Sequence, residues 1–264
     1  MEARLSMDRV VVFKKIVDIV KELSDHVTIL CTESGLEMNL LTQDLVAMAS
    51  VKLESDNFFT YYRINEEAIP LHVHVEEMCK ILKNAVKLKG WKNMQIKLEN
   101  ENSNLINFKL LNSKQGSFTM KLLDIQGQSF IDGRNPIDSN IFNYEAKVPA
   151  VWFTDVCGVV QDFSKFVRVT AYENRLTFES IDDVNFSTVC VNFRYENPFS
   201  LQNKSQRIFS CEYLKKFSQF STLSSIVTFG FPLENQDGIP LSIYYSNPDD
   251  GLSANFLLAS QLEI

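Results

Sequence analysis

The chain has 264 residues, 45% of them apolar and only 22% charged, so it can bury a substantial core; its length fits about two domains and excludes disorder. A net charge of -7 excludes a protein that grips nucleic acid over its whole surface, because such binding is driven by Lys and Arg displacing counterions. No apolar run approaches the roughly 18–20 residues of a membrane span, and residues 1–6 lack the layout of a secretory signal. The five cysteines, Cys31, Cys79, Cys157, Cys190 and Cys211, form no C-x-x-C pair. The expectation is a soluble, intracellular protein with no membrane partner and reduced, mostly buried thiols.

Phe13, Ile16, Val17 and Val20 recur at i, i+3, i+4 and i+7, the stripe of a first amphipathic helix, and Leu23 lengthens it. Glu33-Ser34-Gly35 is a turn signal between two short apolar runs, 27–30 and 36–40, and predicts a hairpin. Strand runs follow at 47–53 and 58–62. Met78, Ile81, Leu82 and Ala85 repeat the helical spacing, with Glu76 and Glu77 in the first turn, where the helix dipole favours acids. Strands at 94–98, 105–110 and 117–122 close this half.

From Tyr144 the order restarts. Phe153, Val156, Cys157 and Val160 mark a third helix, and 167–171 and 176–180 flank the turn Glu173-Asn174-Arg175 as a second hairpin. Tyr213, Leu214, Phe217 and Phe220 mark a fourth helix, followed by strands at 225–229, 241–245 and 255–258. Glu145-Ala146-Lys147 echoes Glu2-Ala3-Arg4. Residues 126–143 hold Gly127, Gly133, Asn135 and Pro136 and show neither period, as a linker does. The layout is two tandem copies of one α+β domain, at 1–125 and 144–264.

Catalytic signals are thin. No G-x-x-x-x-G-K-[ST] or G-x-G-x-x-G occurs, so the chain supplies no standard phosphate cradle. Asp182-Asp183 and Asp249-Asp250 read as solvated turn acids. His72 and His74 share a strand face near Glu76 and Cys79, but the spacing matches no known metal-ligand set. No enzyme activity, cofactor or metal is expected. Charge is more ordered: Lys14 and Lys21 lie two helical turns apart with Lys15 beside them, away from the apolar stripe, and Lys80, Lys83 and Lys87 repeat this on the second helix. By pattern alone these are a solvated face.

Read end to end, the chain resembles the proliferating cell nuclear antigen (PCNA) family of DNA sliding clamps. The resemblance rests on Glu2-Ala3-Arg4-Leu5, Phe13-Lys14-Lys15-Ile16, Ser34-Gly35-Leu36, Lys80-Ile81-Leu82-Lys83, Met120-Lys121-Leu122-Leu123-Asp124, Leu223-Ser224-Ser225, Gly238-Ile239-Pro240-Leu241 and Leu258-Ala259-Ser260-Gln261-Leu262-Glu263, in that order. It implies the DNA-clamp (processivity) fold: two similar domains, each with two helices packed on antiparallel sheets, closing head to tail into a homotrimeric ring around double-stranded DNA. It implies nuclear placement, or a viral replication compartment for a viral protein, and a separate ATP-dependent clamp loader.

The resemblance also assigns residues. Lys14, Lys15, Lys21, Lys80, Lys83 and Lys87, with Lys215 and Lys216 of the fourth helix, would face DNA. Asp155, Gly158, Glu212 and Gln219 stand where the family carries basic residues, so the second half is depleted of positive charge. Leu41, Leu45, Val46, Phe130, Ile131, Pro240, Leu257, Ala259 and Ser260 would form the apolar groove for a short peptide of DNA polymerase and other partners. Subunits would join through edge strands at 116–122, with Phe118 and Met120, and at 184–190, with Asn185, Ser187 and Val189. Glu173 replaces the lysine that many members present for ubiquitin. One subunit of a heterotrimeric checkpoint-type clamp and an enzyme with an unrecognised metal site are the alternatives.

Overall fold

The computed structural model describes residues 1–98, 104–111, 116–124, 144–172, 174–181, 187–194, 205–231 and 238–261. Phe130, Ile131, the expected linker 126–143, Glu173, Asp182, Asp183 and Asn185 lie outside the described residues. The chain divides into two compact units: the described residues of Met1–Gln43, Ala49–Gly133 and Asn247–Ala254, and those of Asp44–Met48, Arg134–Ser246 and Asn255–Ile264.

The first unit opens with β1 (Glu2–Ser6) and α1 (Met7–Lys21). Ser6 ends the strand and caps the helix, its hydroxyl accepting from Arg9 N at 3.4 Å. The periodic stripe is the buried face: Val10, Phe13, Ile16, Val17 and Val20 all point inward. The helix stops at Lys21, so Leu23 is buried in the following turn rather than extending the helix. The expected hairpin is β2 (His26–Thr32) and β3 (Gly35–Leu41), with Thr32 opposite Gly35. Gly35 has φ 133, and a Cβ there would lie 2.0 Å from Leu53 O, so only glycine fits.

Beyond β4 (Ala47–Glu54) the expected strand at 58–62 is replaced by a one-turn helix α2 (Ser55–Phe58) and a short β5 (Tyr61–Arg63). The turn buries Phe58 to 1% exposure, and Asn57 donates back to Glu54 Oε2, a local bonding that competes with strand pairing. Then follow β6 (Ala68–His74), α3 (Val75–Lys87), β7 (Asn93–Leu98), β8 (Leu105–Leu111) and β9 (Gly116–Lys121). The strands form the orders β1-β7-β8-β9, with β5 outside β1, and β4-β3-β2-β6.

The second half of the chain has β10 (Tyr144–Pro149), α4 (Ala150–Phe163), β11 (Phe166–Tyr172), β12 (Arg175–Ile181), β13 (Cys190–Arg194), β14 (Ser205–Ser210), α5 (Cys211–Ser218), β15 (Ile226–Phe231), β16 (Leu241–Asn247) and β17 (Leu252–Leu258). Its orders are β10-β15-β16-β17 and β13-β12-β11-β14. Element for element these are the orders of the first half of the chain, so the repeat read in the sequence is a repeat of topology. The echoed tripeptides sit alike: Ala3 opposite Ile96 and Ala146 opposite Phe229 are both buried. Phe220 falls in a 3-10 turn, Gln219–Thr222, after α5. It meets Phe256 at 4.9 Å, which stacks on Phe217 at 4.6 Å, so aromatic packing fills this core. The architecture is α+β with antiparallel sheets.

Candidate nucleic-acid interface and peptide groove

In the first unit α1 packs on α3, and the apolar stripes that hold them to the sheets leave the lysines outside. Lys15, Lys21, Lys80, Lys83 and Lys87 are exposed and Lys14 is half-buried. The two helices carry seven cations, Arg9 and these six lysines, against four acids, Asp8, Asp18, Glu76 and Glu77. Lys14 is bonded to Asp18. Lys80 Nζ lies 2.8 Å from Glu77 Oε1 and 3.7 Å from Glu76 Oε1, and Lys21 Nζ lies 3.9 Å from that same Glu76 oxygen. The hydrogen bond from Lys80 holds the Glu77 carboxyl below its ordinary range, and the same bond raises the Lys80 ammonium.

The second unit differs in kind. α4 has no basic residue; Val151, Asp155, Val159 and Phe163 follow one another at i+4 along its exposed ridge, with Asp162 alongside. α5 contributes Lys215 and Lys216 against Glu212. Lys216 donates to Glu212 at 2.6 Å and lies 5.2 Å from the Tyr213 ring. Lys215 reaches across to α4, where its Nζ would lie 3.3 Å from a Cβ on Gly158. The small residue at 158 leaves the space that this cation occupies.

Of the residues expected to form a peptide groove, Val46 and Ala259 meet just before β4. Val46 O accepts from Ala259 N at 2.9 Å, and Gln261 N continues the alternation by donating to Ile208 O at 2.8 Å. Between them Ser260 is half-buried, Pro240 is half-buried, and Leu257 is 4% exposed. Leu45 is 70% exposed and holds φ 60, the one positive φ at a non-glycine residue among those described. The left-handed region is uncommon for a bulky side chain such as leucine. Asp44 holds it: Oδ1 accepts from Val46 N at 3.3 Å and Oδ2 accepts from Tyr213 Oη at 2.7 Å. The Asp44–Tyr213 bond has no sequence signal. Leu41 lies in the first unit at the end of β3.

Of the expected edge residues, Phe118 is half-buried and Met120 buried on β9, an edge of its sheet. The other described edge strand is β13 at Cys190–Arg194; of the expected 184–190, residues 184–186 lie outside the described residues and 187–189 are not strand. Exposed Ser187 and half-buried Val189 precede it, although Val189 already exchanges bonds with Ser180. The histidine cluster is spent on packing: His72 Nδ1 meets Thr28 Oγ1 at 3.1 Å, His74 packs edge-on to His26, and Cys79 Sγ donates to Val17 O. Among the described residues no group of three or more His, Cys, Asp or Glu is arranged to hold a metal, and no helix is long and apolar enough to cross a membrane.

Residues 1–129 match the family model for the proliferating cell nuclear antigen, N-terminal domain. The chain is PCNA-like. Its relatives run nearly its full length. The "Probable DNA polymerase sliding clamp" of Autographa californica nuclear polyhedrosis virus is 24% identical over 250 residues, 93% of this chain and 91% of the relative. Proliferating cell nuclear antigen 1 of Plasmodium falciparum is 24% identical over 249 residues, 90% and 86% of the two chains, and the Caenorhabditis elegans protein is 23% identical over 266 residues, 95% and 93%. The solved proliferating cellular nuclear antigen of Entamoeba histolytica covers 99% of this PCNA-like chain and 98% of its own, with a TM-score of 0.80 at 16% identity. The fold is the PCNA clamp fold.

Proposed function

We propose that the chain is the subunit of a ring-shaped DNA sliding clamp that raises polymerase processivity and recruits replication and repair proteins. One observation carries the reading: the same two orders of four strands, with a helix pair, occur twice in the chain, and it is supported by the row of lysines that the first helix pair presents on a protein whose net charge is -7. The names of its full-length relatives support the same reading. Domains at 1–125 and 144–264, joined through 126–143, would build a head-to-tail homotrimer, β9 of one subunit pairing with the β13 edge of the next. Such pairing covers two strand edges that would otherwise invite aggregation.

A trimer carries three times -7, so its outside repels DNA while the local lysines screen phosphates. Weak phosphate contacts permit sliding, and retention comes from closure of the ring rather than from affinity. Partners would dock by a short peptide at Leu45, Val46, Ala259 and Ser260, where an exposed leucine offers apolar surface. The protein is not an enzyme: a separate ATP-dependent loader opens the ring, in the nucleus or in a viral replication compartment. Mass in solution tests the assembly. A species of three times 30.3 kDa is expected; a persistent monomer at micromolar concentration contradicts it.

A further inference from the structure

We infer that Glu76 and Glu77, with Asp18, act as internal competitors for the DNA backbone, dividing the lysines of the first helix pair into two classes. Lys15, Lys83 and Lys87 meet phosphate directly; Lys14, Lys21 and Lys80 do so only by exchanging a carboxylate for it. The inference rests on the clamp reading and deepens it.

The division follows from the ion pairs. Glu76 Oε1 is shared by cations from two helices, Lys21 of α1 at 3.9 Å and Lys80 of α3 at 3.7 Å, while Glu77 holds Lys80 at 2.8 Å. Asp18 holds Lys14 in the same way. Lys15, Lys83 and Lys87 make no ion pair among the described residues. All of these paired groups except Lys14 are close to half exposed, with side-chain accessibilities of 45% to 56%, so water and salt weaken each pair and an incoming phosphate can displace the carboxylate. The acids also sit in the first turn of α3, where the helix dipole alone would account for them. The reach of Glu76 to Lys21, on a different helix, is what the dipole does not explain.

A lysine bound to a carboxylate gives up that attraction when it turns to a phosphate, and it releases no DNA counterion until it does. The acids therefore lower affinity without removing positive charge from the face, which suits a ring that must slide. Removing them frees Lys80 and Lys21 for DNA.

The test uses the full chain and a short fluorescein-labelled duplex, with binding read by fluorescence anisotropy at rising salt. Glu76→Gln with Glu77→Gln is expected to tighten binding about two- to fivefold and to steepen the log–log salt dependence by about one for each of the two lysines freed, about two in all. Lys80→Ala should weaken the double variant more than it weakens the wild-type protein, whereas Lys83→Ala should weaken both alike. A tightening that Lys80→Ala leaves intact, as a general change of net charge would give, overturns the inference. So does weaker binding by the double variant, the result expected if the acids merely stabilise α3. If Lys83→Ala weakens the wild-type protein but the double variant binds as wild type, the inference falls and the clamp reading stands. If neither lysine matters, both fall.

Discussion

Gly35→Ala should unfold the first unit's hairpin at a cost that its geometry sets. The residue holds φ 133, and an added Cβ would sit 2.0 Å from Leu53 O and 2.9 Å from Ser55 N, both backbone atoms. The turn cannot drift away, because Ser34 O accepts from Ser55 N at 2.9 Å and Gly35 O accepts from Tyr62 Oη at 3.0 Å. Backbone strain at such a position costs about 1–3 kcal/mol, and an overlap that rigid backbone must absorb adds about 1–3 kcal/mol. Against a total stability of about 5–15 kcal/mol, the loss is large. Gly238→Ala is the control: φ is 86 there, but nothing lies within 4 Å of the added Cβ, so only strain of about 1–2 kcal/mol remains. Thermal melting followed by circular dichroism should place Gly35→Ala several degrees below Gly238→Ala, at roughly 2–4 °C per kcal/mol. Equal melting points for the two variants would refute the reasoning.

Thiol labelling should report assembly: Cys190 is exposed on the β13 edge, while burial pushes Cys31 and Cys211 up to about 12 and Cys79 up to about 11, and Cys157 is fully buried. One fast thiol per chain is expected in dilute protein, slowing as concentration drives trimer formation; a second fast thiol or a concentration-independent rate would contradict this. Tyr213→Phe removes the donor to Asp44 Oδ2 and should cost only about 0.5–1.5 kcal/mol, yet speed hydrogen exchange at the Val46 amide; unchanged exchange would mean that Tyr213 does not hold the Leu45 turn. Burial lowers the His72 imidazole below its ordinary value of 6.5. The unfolded chain therefore binds the proton first, and His72 contributes stability that is complete above pH 6.5 and lost as pH falls through the lower folded value. His72→Gln should flatten that part of the stability–pH curve, and an unaltered slope between pH 7 and 5 would count against the assignment.

The four helices were legible because each buries a stripe of period 3.6, as Phe13, Ile16, Val17 and Val20 do, and most strand windows fell within a residue or two of the observed bounds. Period alone failed at 58–62, where a single turn buries Phe58; four residues are too few to separate a helix from a strand. Leu23 and Phe220 kept the apolar spacing and are buried, but they sit in turns beyond α1 and α5. The lysine faces could be read from spacing, and so could the Glu77–Lys80 pair at i, i+3. What spacing does not encode is contact between elements: the Lys21–Glu76 approach joins two helices, and Tyr213 reaches Asp44 across 169 residues. Lys215 lying over Gly158 is of the same kind. Each depends on packing that exists only once the chain has folded.

Retention on circular DNA tests the clamp account most directly. The protein, loaded onto a nicked plasmid by an ATP-dependent loader and washed in high salt, should remain bound, because a closed ring needs no phosphate contact to stay on. Cutting the plasmid once with a restriction enzyme should then release it from the ends. Loss from the uncut circle in moderate salt, or equal retention before and after cutting, would contradict the account.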